Sequence, residues 1–307
     1  MFQENANLSD ILAIIAKQVE KNTGKTVDQV LKEAQEAEIR GEKITLPQAV
    51  AEQKQEVQAQ LPMWGERIRG VPNGVLRSAL FTATKRGKRA YFERMKIASV
   101  DGVIVLFTGP RLDQADLDVW EQCLHIARTH GLGNVIQFTA HGFLKSIGRS
   151  TGKSDHEWLK GAFARLRTSD VELSDGKRTF FGALISHGQR NEETGFYELA
   201  LNPRIASLYN DDGWTGQDWE QRKTLKGKPL ALWLHGFYSS HAKPYDYKIE
   251  TLYKLCGSEA KEVKEFKRTL SESLPHLCEA TGWNCRIEGD KVQIFKTPEQ
   301  LIKRLAK

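Results

Sequence analysis

The sequence predicts an α+β protein of two tandem winged-helix domains, each a helix-turn-helix followed by a β-hairpin wing, with a helical N-terminal extension. Three observations predict it. A C-terminal stretch runs through a short amphipathic helix, a glycine, a longer helix with a basic outer side and an alternating hairpin. An upstream stretch has the same order of elements, although the two share no evident sequence identity. The charge is also split, and the basic residues fall in the part able to build cores. The expected divisions are 1–60, 61–210 and 211–307.

Residues 1–60 hold seven basic and ten acidic residues, a net −3 against +6 for the whole chain, so residues 61–307 carry +9. With one proline and no aromatic residue after Phe2, they supply little core. Ile11, Leu12, Ile15 and Val19 form one helical stripe and Val27, Val30, Leu31 and Ala34 another, and Thr45 with Pro47 opens a third helix. Such helices need a surface: a partner, a second copy or the chain's own body.

Gln60-Leu61-Pro62-Met63-Trp64 comes next, among turn signals at Gly65, Gly70, Pro72, Asn73 and Gly74. Exposed apolar anchors there would make a docking peptide; packing against the next domain is the alternative. Lys85, Arg86, Lys88, Arg89, Arg94 and Lys96 suit phosphate contact or a solvated face.

In the first domain "VIVLFTG" reads as a strand, and Leu117, Trp120, Leu124 and Ala127 as one side of a helix ending near His130-Gly131. "NVIQFTA" is a strand, and Phe143, Leu144 and Ile147 mark a short helix stopped by Gly148. Ser154-x-x-Glu157 has the form of a capping box opening a helix with Trp158, Ala162 and Leu166 inside and Lys160 and Arg167 outside. "VELS" and "RTFFGALISH", joined at Asp175-Gly176, and then "GFYELAL" are expected to form a large wing.

Leu230, Trp233, Leu234 and Phe237 give the joining segment a helical stripe, the first helix of the second domain. Ile249, Leu252, Tyr253 and Cys256 recur at helical spacing before Gly257. Ser258 is the expected N-cap of the next helix, which has Val263, Phe266, Leu270 and Leu274 inside and Lys261, Lys264 and Arg268 outside. Cys285, Ile287, Val292 and Ile294 alternate with Arg286, Glu288, Lys291 and Gln293 around Gly289-Asp290, a hairpin. Two helices with a basic outer face are what major-groove docking needs. Glu262, Glu265 and Glu272 leave open the reading of an ordinary solvated face.

A basic pI near 9.0 points to a polyanion partner. No apolar run approaches the ~20 residues of a membrane span, and the start lacks a basic segment ahead of its short apolar run. The expectation is a cytoplasmic protein with no membrane partner. Cys123, Cys256, Cys278 and Cys285 lack metal-ligand spacing and read as reduced thiols, so no metal or cofactor is expected. Gly148-Arg149-Ser150-Thr151-Gly152-Lys153-Ser154 is one residue short of a phosphate-binding loop and comes after a helix, not a strand, which argues against nucleotide hydrolysis. His235, Tyr238 and His241 raise the idea of a nicking enzyme, but their spacing on a helix points them in different directions. No catalytic residue is assigned.

"LPMWGERIRGVPNGVLRSALFT", "SSHAKPYDYKIETLYKLCGS" and "EVKEFKRTLSESLPHL" resemble the TrfA-type plasmid replication initiators, the most specific part being Val71-Pro72-Asn73 with Arg77-Ser78-Ala79-Leu80-Phe81-Thr82. The resemblance implies two winged helices that bind directly repeated origin sites, called iterons. It further implies opening of the adjacent AT-rich duplex, contact with the single strand so exposed, recruitment of the host initiator, replicative helicase and sliding clamp, and a dimer-monomer equilibrium. Gln60, Leu61, Met63 and Trp64 are similar to a clamp-binding peptide but depart at the last two positions. On this reading Lys160, Arg167, Lys261, Lys264 and Arg268 read bases, while Arg149, Lys153 and Arg286 hold phosphates. The protein would be plasmid- and nucleoid-associated and no enzyme. A winged-helix repressor is the alternative, and a nicking initiator the remoter one.

Overall fold

The computed structural model describes residue 29 and residues 59–296, save 86, 101, 177–178 and 210–212. The helices expected in residues 1–58, and Arg86 of the basic cluster, lie outside the described residues. Residues 1–57 and 58–307 form two units, and the elements of the second carry both predicted winged helices.

The first half of this second unit runs β1 (Ile68–Pro72), α1 (Asn73–Leu76), β2 (Phe81–Thr82), β3 (Tyr91–Ile97), β4 (Ile104–Pro110), β5 (Leu112–Asp113) and α2 (Gln114–Ala127). The helix-turn-helix is next, as β6 (Val135–Thr139), α3 (Ala140–Ser146) and α4 (Lys153–Thr168). Then come β7 (Asp170–Ser174), β8 (Thr179–Ala183), β9 (Ile185–Arg190), β10 (Phe196–Leu201) and β11 (Trp214–Asp218). The second half is α5 (Trp219–Thr224), α6 (Pro229–Ser239), β12 (Tyr247–Lys248), α7 (Ile249–Leu255), α8 (Val263–Thr281), β13 (Asn284–Glu288) and β14 (Lys291–Phe295).

The two halves repeat one plan. In the first, β6 pairs with β10 and β10 with β9; in the second, β12 pairs with β14 and β14 with β13. Each small sheet thus joins the strand before a helix-turn-helix to the hairpin after it, the winged-helix arrangement. Leu117, Trp120, Leu124 and Ala127 are buried on α2, as Leu230, Trp233, Leu234 and Phe237 are on α6. The two apolar cores change over between Trp219 and Leu225.

The first wing differs from the sequence expectation. "RTFFGALISH" is two strands, with a break at Leu184, which is buried. Gly182 sits there at φ +135°, and a β-carbon on it would lie 2.9 Å from Asn202 Nδ2. Hence β7 and β8 join β3 and β4 in a separate antiparallel sheet of order β3-β4-β7-β8, and only β9–β10 forms the wing. Pairing of β7 with β4, some 65 positions earlier, carries no local signal.

Both helix starts also move. Gly152, not Ser154, precedes α4, and the Glu157 carboxylate accepts from Lys160 instead of closing a capping box. Helix α8 begins at Val263 after Glu262; the Ser258 hydroxyl accepts from the Ala260 N–H, which makes a turn and not a cap. Val263 is accordingly exposed, while Phe266, Leu270 and Leu274 are buried.

Candidate nucleic-acid interface

At 100° per residue, a helix buried through Phe266, Leu270, Leu274 and Leu277 must present Lys264, Arg268 and Ser271 on the far side, with Lys267 at the border between the two. All four are exposed. Among the described residues no carboxylate pairs with Lys264, Lys267 or Arg268; the Lys267 Nζ donates only to the Gly289 carbonyl at the wing tip, 3.4 Å away. Three cations thus stand in solvent on one stripe, beside a hairpin that Lys267 touches. Tyr253 and Phe266, with ring centroids 5.4 Å apart, lock the stripe's orientation against α7. Lys261 lies in the turn ahead of α8, so the helical phase assigned to it does not hold; its backbone N–H donates to Glu265.

On α4 the same reasoning groups Lys153, Glu157, Lys160, Ala164 and Arg167 outside, against buried Leu159, Ala162, Phe163 and Leu166. This face is less cationic than that of α8. Lys160 lies 2.8 Å from Glu157 and 3.8 Å from Glu192, which belongs to the wing turn. Lys153, at the helix start, and Arg167 are exposed and have no carboxylate partner among the described residues. A groove between α4 and the wing runs past Lys160, Arg167, Gln189 and Arg190. Phe138, Phe143, Phe163 and Tyr197 pack in one cluster, Phe163 and Tyr197 at 5.2 Å, and so fix α4 to the sheet.

Arg149 and Arg286 are already engaged. The Arg149 guanidinium stacks on Trp158 at 3.6 Å and pairs with Asp155 at 3.0 Å, tying the turn to the first coil of α4. Arg286 donates to Gln293, lies 3.5 Å from Glu288 and stacks on Phe295 at 5.2 Å. Sequence reasoning missed Lys267, although its place 60° from Lys264 on the helix was a usable signal. It also missed Glu192, whose effect on Lys160 depends on the wing's folding back.

The docking peptide needs correction. Leu61 and Trp64, its apolar anchors, are buried, while Gln60 and Met63 are exposed. Trp64 packs against Trp214 at 5.5 Å and Tyr209 at 6.1 Å, and its indole N–H donates to His125. A β-carbon on Gly70 would lie 2.6 Å from that indole, so the glycine is there to admit it. The segment is a piece of the first core, and a partner could grip it only after local unfolding. Burial and the Arg69 guanidinium push the His125 imidazole down to about 4, which keeps it neutral as an acceptor.

His235, Tyr238 and His241 are buried on α6 and just past its end. Burial pushes His235 down to about 3 and the Tyr238 phenol well up. His235 stacks near Trp283, and His241 lies against the Phe237 carbonyl and Tyr247. Among the described residues no group of three His, Cys, Asp or Glu side chains is placed to hold a metal ion. No described helix is long and apolar enough to cross a membrane. The four cysteines are free thiols.

The family model of the TrfA protein matches residues 20–292. The chain belongs to the TrfA family. A plasmid replication initiator protein TrfA of Escherichia coli is 28% identical over 223 residues, which cover 70% of this chain and 58% of that relative. The chain therefore spans less than two thirds of the TrfA relative it matches. Among solved structures, domains 2 and 3 of RctB align at 13% identity, with a TM-score of 0.49, over 73% of this chain and 96% of that one. The Pi initiator protein in complex with iteron DNA aligns at 14% identity and a TM-score of 0.45, over 59% of this chain and 92% of that one.

Proposed function

We propose that this chain is a plasmid replication initiator that binds directly repeated origin DNA through α4 and α8 in successive major grooves. The observation that carries the reading is the α8 stripe: Lys264, Lys267 and Arg268 in solvent, without carboxylate partners among the described residues, on the second helix of a helix-turn-helix. Family membership supplies the rest. Lys153 and Arg167 give α4 a weaker version of the same face, so α8 is the stronger reader.

On this reading the protein has no enzymatic activity and needs no cofactor. Burial of Tyr238 and His235 supports that, since a nucleophile and a metal ligand must reach a phosphodiester. It acts in the cytoplasm on plasmid DNA, holds the opened AT-rich strand and recruits the host initiator, helicase and clamp. It exists as both monomer and dimer. Recruitment falls to surfaces other than Leu61 and Trp64.

The test is replication in trans. A marker plasmid whose only origin is the bound repeats beside an AT-rich stretch is introduced with and without this chain supplied separately. Colonies that depend on the chain are expected. Binding without colonies would favour a repressor, and conversion of supercoiled plasmid to open circle with magnesium or manganese would establish a nicking enzyme.

A further inference from the structure

The most family-specific run of the sequence, Arg77 to Thr82, carries no part of either DNA-binding face, yet it is almost wholly buried. Its place explains why. On one side it is stitched into the first half: Val100 N–H donates to the Arg77 carbonyl and Ala79 N–H to Ala98, Thr82 Oγ1 donates to Leu112, and the Phe81 ring stacks on Trp120 at 5.9 Å. Its other side meets the second half. Arg77 Nε donates to the Ser240 hydroxyl at 2.9 Å and its terminal nitrogen to the Ser240 carbonyl, at the C-terminus of α6. Trp233 Nε1 donates to the Ser78 carbonyl, and Ala83 N–H to the Cys256 carbonyl at 2.8 Å.

That last bond lands on the turn of the second helix-turn-helix. Gly257 comes next at φ +62°, and a β-carbon on it would lie 2.5 Å from Thr82 Cγ2 and 3.4 Å from Ala79 Cβ. The Gly257 backbone thus lies directly against the Thr82 and Ala79 side chains, next to the backbone bond from Ala83 to Cys256, at the point where α7 gives way to α8. Arg111, from the first half, pairs with Glu259 in the same turn. Arg222, 1% exposed, reaches Asp118 and Gln114 on α2 as well as the Leu232 carbonyl on α6. Between Leu76, Phe81, Leu117, Trp233 and Gly236 the seam leaves only about 10 Å³.

We propose that the Arg77–Ala83 run is a latch that holds the two winged helices as one rigid reader and so determines the spacing of the two DNA segments it accepts. The proposal rests on the reading that α4 and α8 engage one DNA site together. Two modules held rigidly at the right separation bind with an effective concentration that raises the joint affinity by on the order of 10²–10⁴, and lose it when the geometry does not match. One extra base pair turns the far groove by about 35° and moves it ~3.4 Å. A rigid reader must strain or release one helix; a hinged one adjusts.

The experiment measures dissociation constants on the best-bound site and on versions with one or two base pairs added between the contacted segments. It uses the full chain, its Arg77→Ala variant and its Arg111→Ala variant, each checked by circular dichroism and thermal melting. Arg111→Ala breaks the other tie between the first half and the turn ahead of α8, to a Glu259 that is half exposed, and spares the apolar core of each half, so it serves if Arg77→Ala does not fold. The full chain should lose about tenfold or more per inserted base pair, and the variants only about threefold, with the salt dependence on the original site unchanged. Folded variants that keep the full insertion penalty would overturn the latch. A full chain with no preferred site would sink the DNA-binding reading itself, and a full chain that prefers a site yet tolerates insertions would sink the latch alone.

Discussion

Replacing Lys264, Lys267 and Arg268 together by alanine removes the three α8 cations that stand free of carboxylates among the described residues. The loss should show in salt dependence before anything else. Each phosphate neutralised contributes about 0.9 to the slope of log K against log salt on duplex DNA, so three such contacts carry roughly 2.7. Over a fourfold rise in salt, from about 50 to 200 mM, that slope alone is worth roughly 40-fold in affinity. The folded state should not change: all three side chains are exposed, their stems cover little of the core, and Phe266, Leu270 and Leu274 remain. The assay is fluorescence anisotropy with a labelled duplex at several salt concentrations, for both proteins. A slope lowered by less than about one unit would mean that α8 faces away from the phosphates, and the proposed docking would be wrong. A slope lowered by about one, with a sharp loss of preference at one or two positions, would assign the other cations to base edges.

The same geometry gives further outcomes. Glu192→Gln releases Arg190 from its ion pair, leaves Lys160 paired with Glu157 alone and removes an anion from the first wing, so it should tighten DNA binding and steepen the salt slope by up to about one contact; weaker binding on the same titration would contradict this. Trp64→Ala empties a site among Tyr209, Trp214 and Gly70 and should cost about 3–5 kcal/mol in urea unfolding, whereas Met63→Ala, at an exposed site, should stay within about 0.5. Burial pushes the Glu121 carboxyl up to about 7, so between its unfolded value of 4.5 and about 7 the native state binds the extra proton. Stability from this group is therefore present at low pH and lost as pH rises through that window, and Glu121→Gln should gain on the unmodified chain between pH 5 and pH 8. Parallel stability curves for the two would refute the assignment.

What the sequence made legible was what local pattern controls. Helices α2, α6, α7 and most of α8 are written in apolar residues at helical spacing, and the second wing in alternation around Gly289-Asp290. The α8 cations were legible for the same reason, since the phase that buries Phe266 exposes Lys264 and Arg268. What escaped was non-local. Strands β7 and β8 read as a wing until β4 claims them, and Leu61 and Trp64 read as exposed anchors until β1, paired with β11, brings Trp214 alongside. Lys160 and its neighbour Glu157, three positions earlier on the helix, were both visible, but the second carboxylate near Lys160 was not, because Glu192 lies 32 positions away on a folded-back turn. The Arg77–Thr82 run was noticed as a family mark, and only the seam it fills gives it a physical role.

The most direct measurement is selection of bound fragments from a sheared pool of plasmid and genomic DNA at near-physiological salt, with sequencing of what is retained. Tandem repeats in one orientation beside an AT-rich stretch are expected, each long enough for two grooves about 10 base pairs apart, together with loss of that enrichment for the Lys264→Ala/Lys267→Ala/Arg268→Ala variant. A single palindrome, or no enrichment over the variant, would contradict direct-repeat recognition through α8.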